Sequence, residues 1–318
     1  MKKLFSMLLV LTMTVVIVAG CSPKSDKKEE SKNATESSES AGEVVFKHSK
    51  GETKVPKNPK KVVVFDMGIL DTMQALDVNA DTAVPLDSLP KYLSSFEKAT
   101  NVGGIKEPDM EAIFAFEPDV IFISGRQEEY YDKLSEIAPT VYIDLEAETY
   151  MDDFKKNTTE VAELFGKEDD AKNHLDKIDK KIEKVSGIAE KSDKKSLIIL
   201  TNDGSISAYG KGSRFGIIHD VLNLKTADEK IEASTHGQEV NFEYVSKINP
   251  DLLFVVDRAV VTGGQIKSSD TLNNDLVKNT KAGKNDKIIN LDPEFWYLSG
   301  GGLLSVDGMI SEVESALK

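Results

Sequence analysis

Cysteine, arginine, histidine and tryptophan are all scarce in this chain, and the shortages of cysteine and histidine each exclude a class of chemistry. One cysteine, Cys21, stands among 318 residues, which leaves no room for a disulfide framework or a thiolate-held metal centre. The four histidines, at 48, 174, 219 and 236, form no H-E-x-x-H pair, and there is no G-x-S-x-G elbow, so the usual signatures of a secreted hydrolase are missing. The glycine-rich stretches GGQIKS and LSGGG have neither Walker A nor dinucleotide-fingerprint spacing. A formal net charge of −14 argues against a nucleic-acid partner. Beyond the amino terminus, no apolar run reaches the roughly 20 residues that a spanning helix needs.

The shortage of arginine is the most informative. Of 40 basic side chains only Arg126, Arg214 and Arg258 are arginine, so lysine serves wherever a generic positive charge suffices. Each arginine follows a strand-like run. Ligands of open α/β sheets sit at the carboxyl ends of strands, and a guanidinium suits planar, bidentate recognition of anions. The three are either an anion site on an acidic protein or ordinary ion-pair partners.

Two of them belong to a repeat. EAIFAFEPDVIFISGR (111–126) recurs as EYVSKINPDLLFVVDR (243–258), which pairs Glu111 with Glu243, Pro118 with Pro250, Asp119 with Asp251 and Arg126 with Arg258 at a constant offset. Each copy predicts a short helix opening on an acid, a Pro-Asp turn, and a fully buried strand. Strand and helix patterns alternate around both copies, as in a mostly parallel sheet with flanking helices. Between the copies, Lys167–Lys191 carries Ala171, Leu175, Ile178, Ile182 and Val185 on one stripe. The expected fold is α/β: two Rossmann-like lobes joined by a single long helix, with the ligand cleft between them.

At the amino terminus, Lys2 and Lys3 precede an apolar core from Leu4 to Val18, and Val18-Ala19-Gly20 leads into Cys21, the pattern of a cleaved export signal. The polar stretch 22–42 has almost nothing to bury. The expected organisation is a signal peptide over 1–20, a lipidated cysteine and tether over 21–42, a first lobe over 43–166, a connecting helix over 167–192 and a second lobe over 193–318.

Together these features resemble the substrate-binding lipoproteins of iron-siderophore ABC importers, with the class III periplasmic-binding-protein fold. KVPKNPKKVVVFD, SEIAPT, ASTHGQ and WYLSGGG look like the subgroup that binds ferric catecholates, petrobactin among them. The resemblance implies no enzyme and no intrinsic cofactor. It implies an extracytoplasmic receptor, a monomer anchored through Cys21 to the membrane of a Gram-positive bacterium, that passes a ferric siderophore to a permease. It places Arg126, Arg214 and Arg258 around the ligand, and His236 and Tyr297 on the iron itself; phenolate is a hard oxygen donor suited to ferric iron. It also makes Glu111 and Glu243 permease-docking acids, where helix stabilisation by the dipole is the plainer alternative. Trp296, beside Tyr297, is expected to face the ligand, or else to anchor the last helix. Competing readings are a receptor of the same fold for haem or cobalamin and, more remotely, a secreted hydrolase.

Overall fold

The structure, a computed structural model, describes residues 42–318; the export signal and Cys21 lie outside them. Strands β1 (Glu43–His48) and β2 (Gly51–Pro56) form an antiparallel hairpin. Strands β3 (Lys61–Val64), β4 (Asp81–Val84), β5 (Thr100–Asn101), β6 (Val120–Ile123) and β7 (Thr140–Tyr142) make a parallel sheet in the order β5-β4-β3-β6-β7. Every residue of β6 is buried, as a run without alternation must be when helices cover both faces.

The second sheet holds β8 (Lys195–Asn202), β9 (Ser205–Tyr209), β10 (Lys225–Thr226), β11 (Gln238–Val240), β12 (Leu252–Asp257) and β13 (Ile288–Leu291). Its main path is β11-β9-β8-β12-β13, with β10 paired to β8. It is mixed: β9 runs antiparallel to both β8 and β11. The cause is local, because Asp203 (φ 46°) and Gly204 (φ 89°) make a two-residue hairpin turn where a parallel partner would need a long crossover.

The repeat identified in the sequence is reproduced in detail. Helix Met110–Phe116 is capped by the Asp109 carboxylate and helix Phe242–Ile248 by the Asn241 side chain. Both helices end on a left-handed residue, Glu117 (φ 53°) and Asn249 (φ 52°). In each Pro-Asp turn the acid then accepts backbone N–H bonds from the start of a central strand of its lobe's sheet, β3 or β8. Asp119 accepts from Lys60 and Lys61 at 2.7 and 2.9 Å, and Asp251 accepts from Lys195 at 2.9 Å.

Helix Tyr150–Phe165 stops at Gly166 in the left-handed region, and a 22-residue helix, Glu168–Ala189, follows. At about 1.5 Å per residue it spans roughly 33 Å. Ala171, Ile178, Val185 and Ala189 are its buried stripe. They pack in one cluster with Val306, Met309, Ile310 and Val313 of the terminal helix Leu303–Leu317, and with Leu76 and Phe154 of the first lobe. The terminal helix therefore ties the lobes together alongside the strut. Its amino terminus is capped from the opposite lobe by Asp71, on helix Met67–Ala75. The buried carboxylate accepts from Leu304 N at 2.6 Å, Ser305 N at 2.7 Å and the Tyr92 hydroxyl at 2.8 Å. A side chain at Gly302 would collide with Asp71, so part of the SGGG run is explained by close approach of two chain segments.

Candidate functional site

The three arginines reach one residue from three places. Arg126 stands just after β6, Arg214 in the loop after β9, and Arg258 directly after β12. Arg126 Nη2 donates to the main-chain carbonyl of Tyr297 at 2.6 Å, and Nη1 to that of Leu298 at 3.5 Å. Arg214 Nη2 donates to the same Tyr297 carbonyl at 2.7 Å. Arg258 Nε donates to the Tyr297 hydroxyl at 2.8 Å. The guanidinium carbons of Arg126, Arg214 and Arg258 lie 5.8, 4.3 and 5.7 Å from the Tyr297 ring centroid, within cation–π range.

Among the described residues no carboxylate forms an ion pair with them. Every ion pair among the described residues is made by lysine. Burial first, and then the neighbouring Arg126 charge, push Arg214 below the ordinary arginine value. Three cations converging, one of them largely desolvated, with no carboxylate in ion-pair contact and Asp203 acting on Arg258 only at longer range, is an unfavourable arrangement that an anion would relieve.

Tyr297 belongs to a π-helix, Glu294–Ser299, a local geometry that is frequent at functional sites. His236 lies in the loop before β11. The loop is tied to the site by Tyr209, whose hydroxyl donates to the His236 carbonyl at 2.9 Å; burial pushes the Tyr209 phenol up to about 12. Gly237 (φ 74°) sits where a Cβ would come within 2.7 Å of the Tyr209 ring, which accounts for the glycine of STHGQ. The His236 residue is exposed, and its side chain has no hydrogen-bond partner among the described residues. Nor do those residues hold a cluster of three or more His, Cys, Asp or Glu able to bind a metal.

Of the two places expected for Trp296, the structure shows the one that anchors the last helix. It is only 2% exposed, its indole N–H donates to Glu312 at 2.6 Å, and its ring meets Phe215 edge-on at 6.3 Å. Adjacent residues of a helix point in different directions, so Tyr297 faces the arginines and Trp296 the core. Glu111 and Glu243 are exposed in the first turns of equivalent helices. A shallow depression of about 530 Å³ opens beside Glu111, lined also by Met110, Phe114 and Lys133; it contains none of the arginines. Asp71, Glu312 and Phe215 went unremarked in the sequence because an isolated acid or aromatic in an apolar pattern shows no partner until the chain folds.

Residues 62–295 match the periplasmic binding protein family. The chain is 45% identical over its full length to the full length of the petrobactin-binding protein YclQ of Bacillus subtilis. The crystal structure of that protein superposes with a TM-score of 0.84 over 87% of this chain and 99% of the other. The ferric-anguibactin-binding protein FatB of Vibrio anguillarum is 30% identical, covering 96% of this chain and 95% of its own length. The catecholate-siderophore-binding protein VctP of Vibrio cholerae is 29% identical, with a TM-score of 0.80 over 86% of this chain and 99% of its own.

Proposed function

This chain belongs to the periplasmic binding protein family, and from that premise we propose that it is the extracytoplasmic receptor of an ABC importer for a ferric catecholate siderophore. It captures the iron complex between its lobes and delivers it to a membrane permease. Lipidated Cys21 holds it at the cell surface, and Glu111 and Glu243, one exposed acid per lobe, meet the permease. The observation that carries the ligand class is the convergence of Arg126, Arg214 and Arg258 on Tyr297 with no ion-paired carboxylate among the described residues.

A ferric ion held by three catecholates carries a formal charge of −3, which the three guanidinium groups balance. Each contact at about 4 Å has a gross value of roughly 4 kcal/mol at an effective dielectric near 20, and nanomolar binding requires about 12 kcal/mol after desolvation. A neutral ferric hydroxamate would leave the three charges uncompensated. Siderophores that offer only four donor atoms leave two positions on the iron, which His236 and Tyr297 fill.

The test is a titration of the purified protein with ferric catecholate, ferric hydroxamate, haem and cobalamin, followed by quenching of Trp296, the sole tryptophan. Saturable, submicromolar quenching by the ferric catecholate, at least 100-fold tighter than by the others, is expected. Tighter binding of haem with a shifted Soret band, or of cobalamin, would replace this reading.

A further inference from the structure

Behind Tyr297 a single carboxylate organises the site from the core side. Glu312, on the terminal helix, accepts from the Trp296 indole through Oε2 at 2.6 Å and from the Asp292 backbone N–H through Oε1 at 3.0 Å. One turn earlier on the same helix face, Gly308 leaves the space filled by the Phe295 ring; a Cβ there would lie 2.6 Å from Phe295 Cε2. The terminal helix thus receives the π-helix through a groove at 308 and a fixed acceptor at 312, four residues apart and so on one face.

The indole held in this way is linked to both halves of the arginine–tyrosine cluster through chain neighbours. Tyr297 is its neighbour in the chain. Phe215, packed against its ring, is the chain neighbour of Arg214, and the Arg214 guanidinium lies 4.3 Å from the Tyr297 ring. Two site groups from separate segments are therefore referred to one buried ring, and that ring to one carboxylate.

We propose that Glu312 is a positioning residue which, by fixing the indole of Trp296, sets the places of Tyr297 and Arg214 for the ferric complex. The proposal rests on the reading that these two residues hold that complex. A group displaced by an ångström loses charge-assisted contacts that depend on direction, so the effect is on binding rather than on folding alone.

The experiment compares Glu312→Ala, Glu312→Gln, Trp296→Phe and the Glu312→Ala/Trp296→Phe pair, with Arg214→Ala and Tyr297→Phe alongside. Dissociation constants for a ferric bis-catecholate and a ferric tris-catecholate, and the charge-transfer spectrum of the bound bis-catecholate, are measured on variants with cooperative thermal unfolding. Glu312→Ala and Trp296→Phe should each weaken both complexes at least tenfold and move the charge-transfer band. The pair should be no weaker than the weaker single variant, because both changes break one linkage. Glu312→Gln, which keeps one oxygen acceptor, should fall between, and with Trp296→Phe it decides the matter if Glu312→Ala does not fold. Wild-type affinity and an unmoved band in a folded Glu312 variant, or additive losses in the pair, would overturn the proposal while leaving the site reading intact. Wild-type affinity in both Arg214→Ala and Tyr297→Phe would overturn the site reading, and the proposal with it.

Discussion

Arg126, carried by the first lobe, donates to the main-chain carbonyl of Tyr297 in the second at 2.6 Å. The acceptor also takes a bond from Arg214, so a single carbonyl holds two cations of the ligand site in place. An incoming anion competes for these guanidinium groups with a neutral oxygen, and charge-assisted bonds to a charged oxygen are roughly twice as strong.

Loss of any one arginine should therefore weaken a ferric tris-catecholate by about 1.5–3 kcal/mol, the value of a hydrogen bond to a charged group. Lysine should not fully restore it, because the planar fork is lost. Isothermal titration of Arg126→Ala, Arg214→Ala, Arg258→Ala and the corresponding lysine variants checks this. Unchanged affinity in all three alanine variants would return the arginines to a structural role.

His236 and Tyr297 should matter most when the siderophore leaves iron positions open. Tyr297→Phe and His236→Ala are expected to weaken a ferric complex offering four donor atoms selectively over one offering six. The four-donor complex, on the wild-type protein, should show one metal handedness by circular dichroism. Equal losses for both complexes would mean that the two side chains only line the cleft.

The exposed acids predict a separation of binding from uptake. The double variant Glu111→Ala/Glu243→Ala should bind the ferric complex as the wild type does, since neither residue is a hydrogen-bond partner of the arginines, and should fail to support radioiron uptake by cells that lack the native copy. A parallel fall in affinity and uptake would make the two acids helix stabilisers rather than docking groups.

Asp71 carries a pH signature. Burial raises its carboxyl from 3.8 to about 6, against the opposing hydrogen bonds from Leu304, Tyr92 and Ser305. A carboxyl with a raised folded-state pKa binds its proton more tightly in the native protein. Its contribution to stability is fully present below the unfolded value near 4 and is lost as pH rises through about 6. Melting temperatures of wild type and Asp71→Asn, followed from pH 4 to 7, should diverge across that window. Asp71→Ala should cost about 1–2 kcal/mol more, as for loss of a helix cap. A pH-independent difference between wild type and Asp71→Asn would contradict the raised value.

Local pattern was enough to reveal the lobes, the strut and the repeat. A buried strand, a cap and a Pro-Asp turn are each written in a few consecutive residues, and the rarity of arginine singled out Arg126, Arg214 and Arg258. Tertiary structure alone decided what those arginines meet, because the residue they share, Tyr297, lies far along the chain, and the acceptor common to Arg126 and Arg214 is its backbone carbonyl, which no side-chain pattern marks. It also decided the inward turn of Trp296. The letters WY place two aromatics side by side, but the helical backbone sends them to opposite surroundings, and only the folded chain brings Glu312 to the indole. The same holds for Asp71: its sequence neighbours make it one polar residue in an apolar helix, while its partners, Leu304 and Ser305, arrive from the far end of the chain. Long-range hydrogen bonds of this kind depend on geometry that packing creates, and so they become visible only once the lobes have closed on the terminal helix.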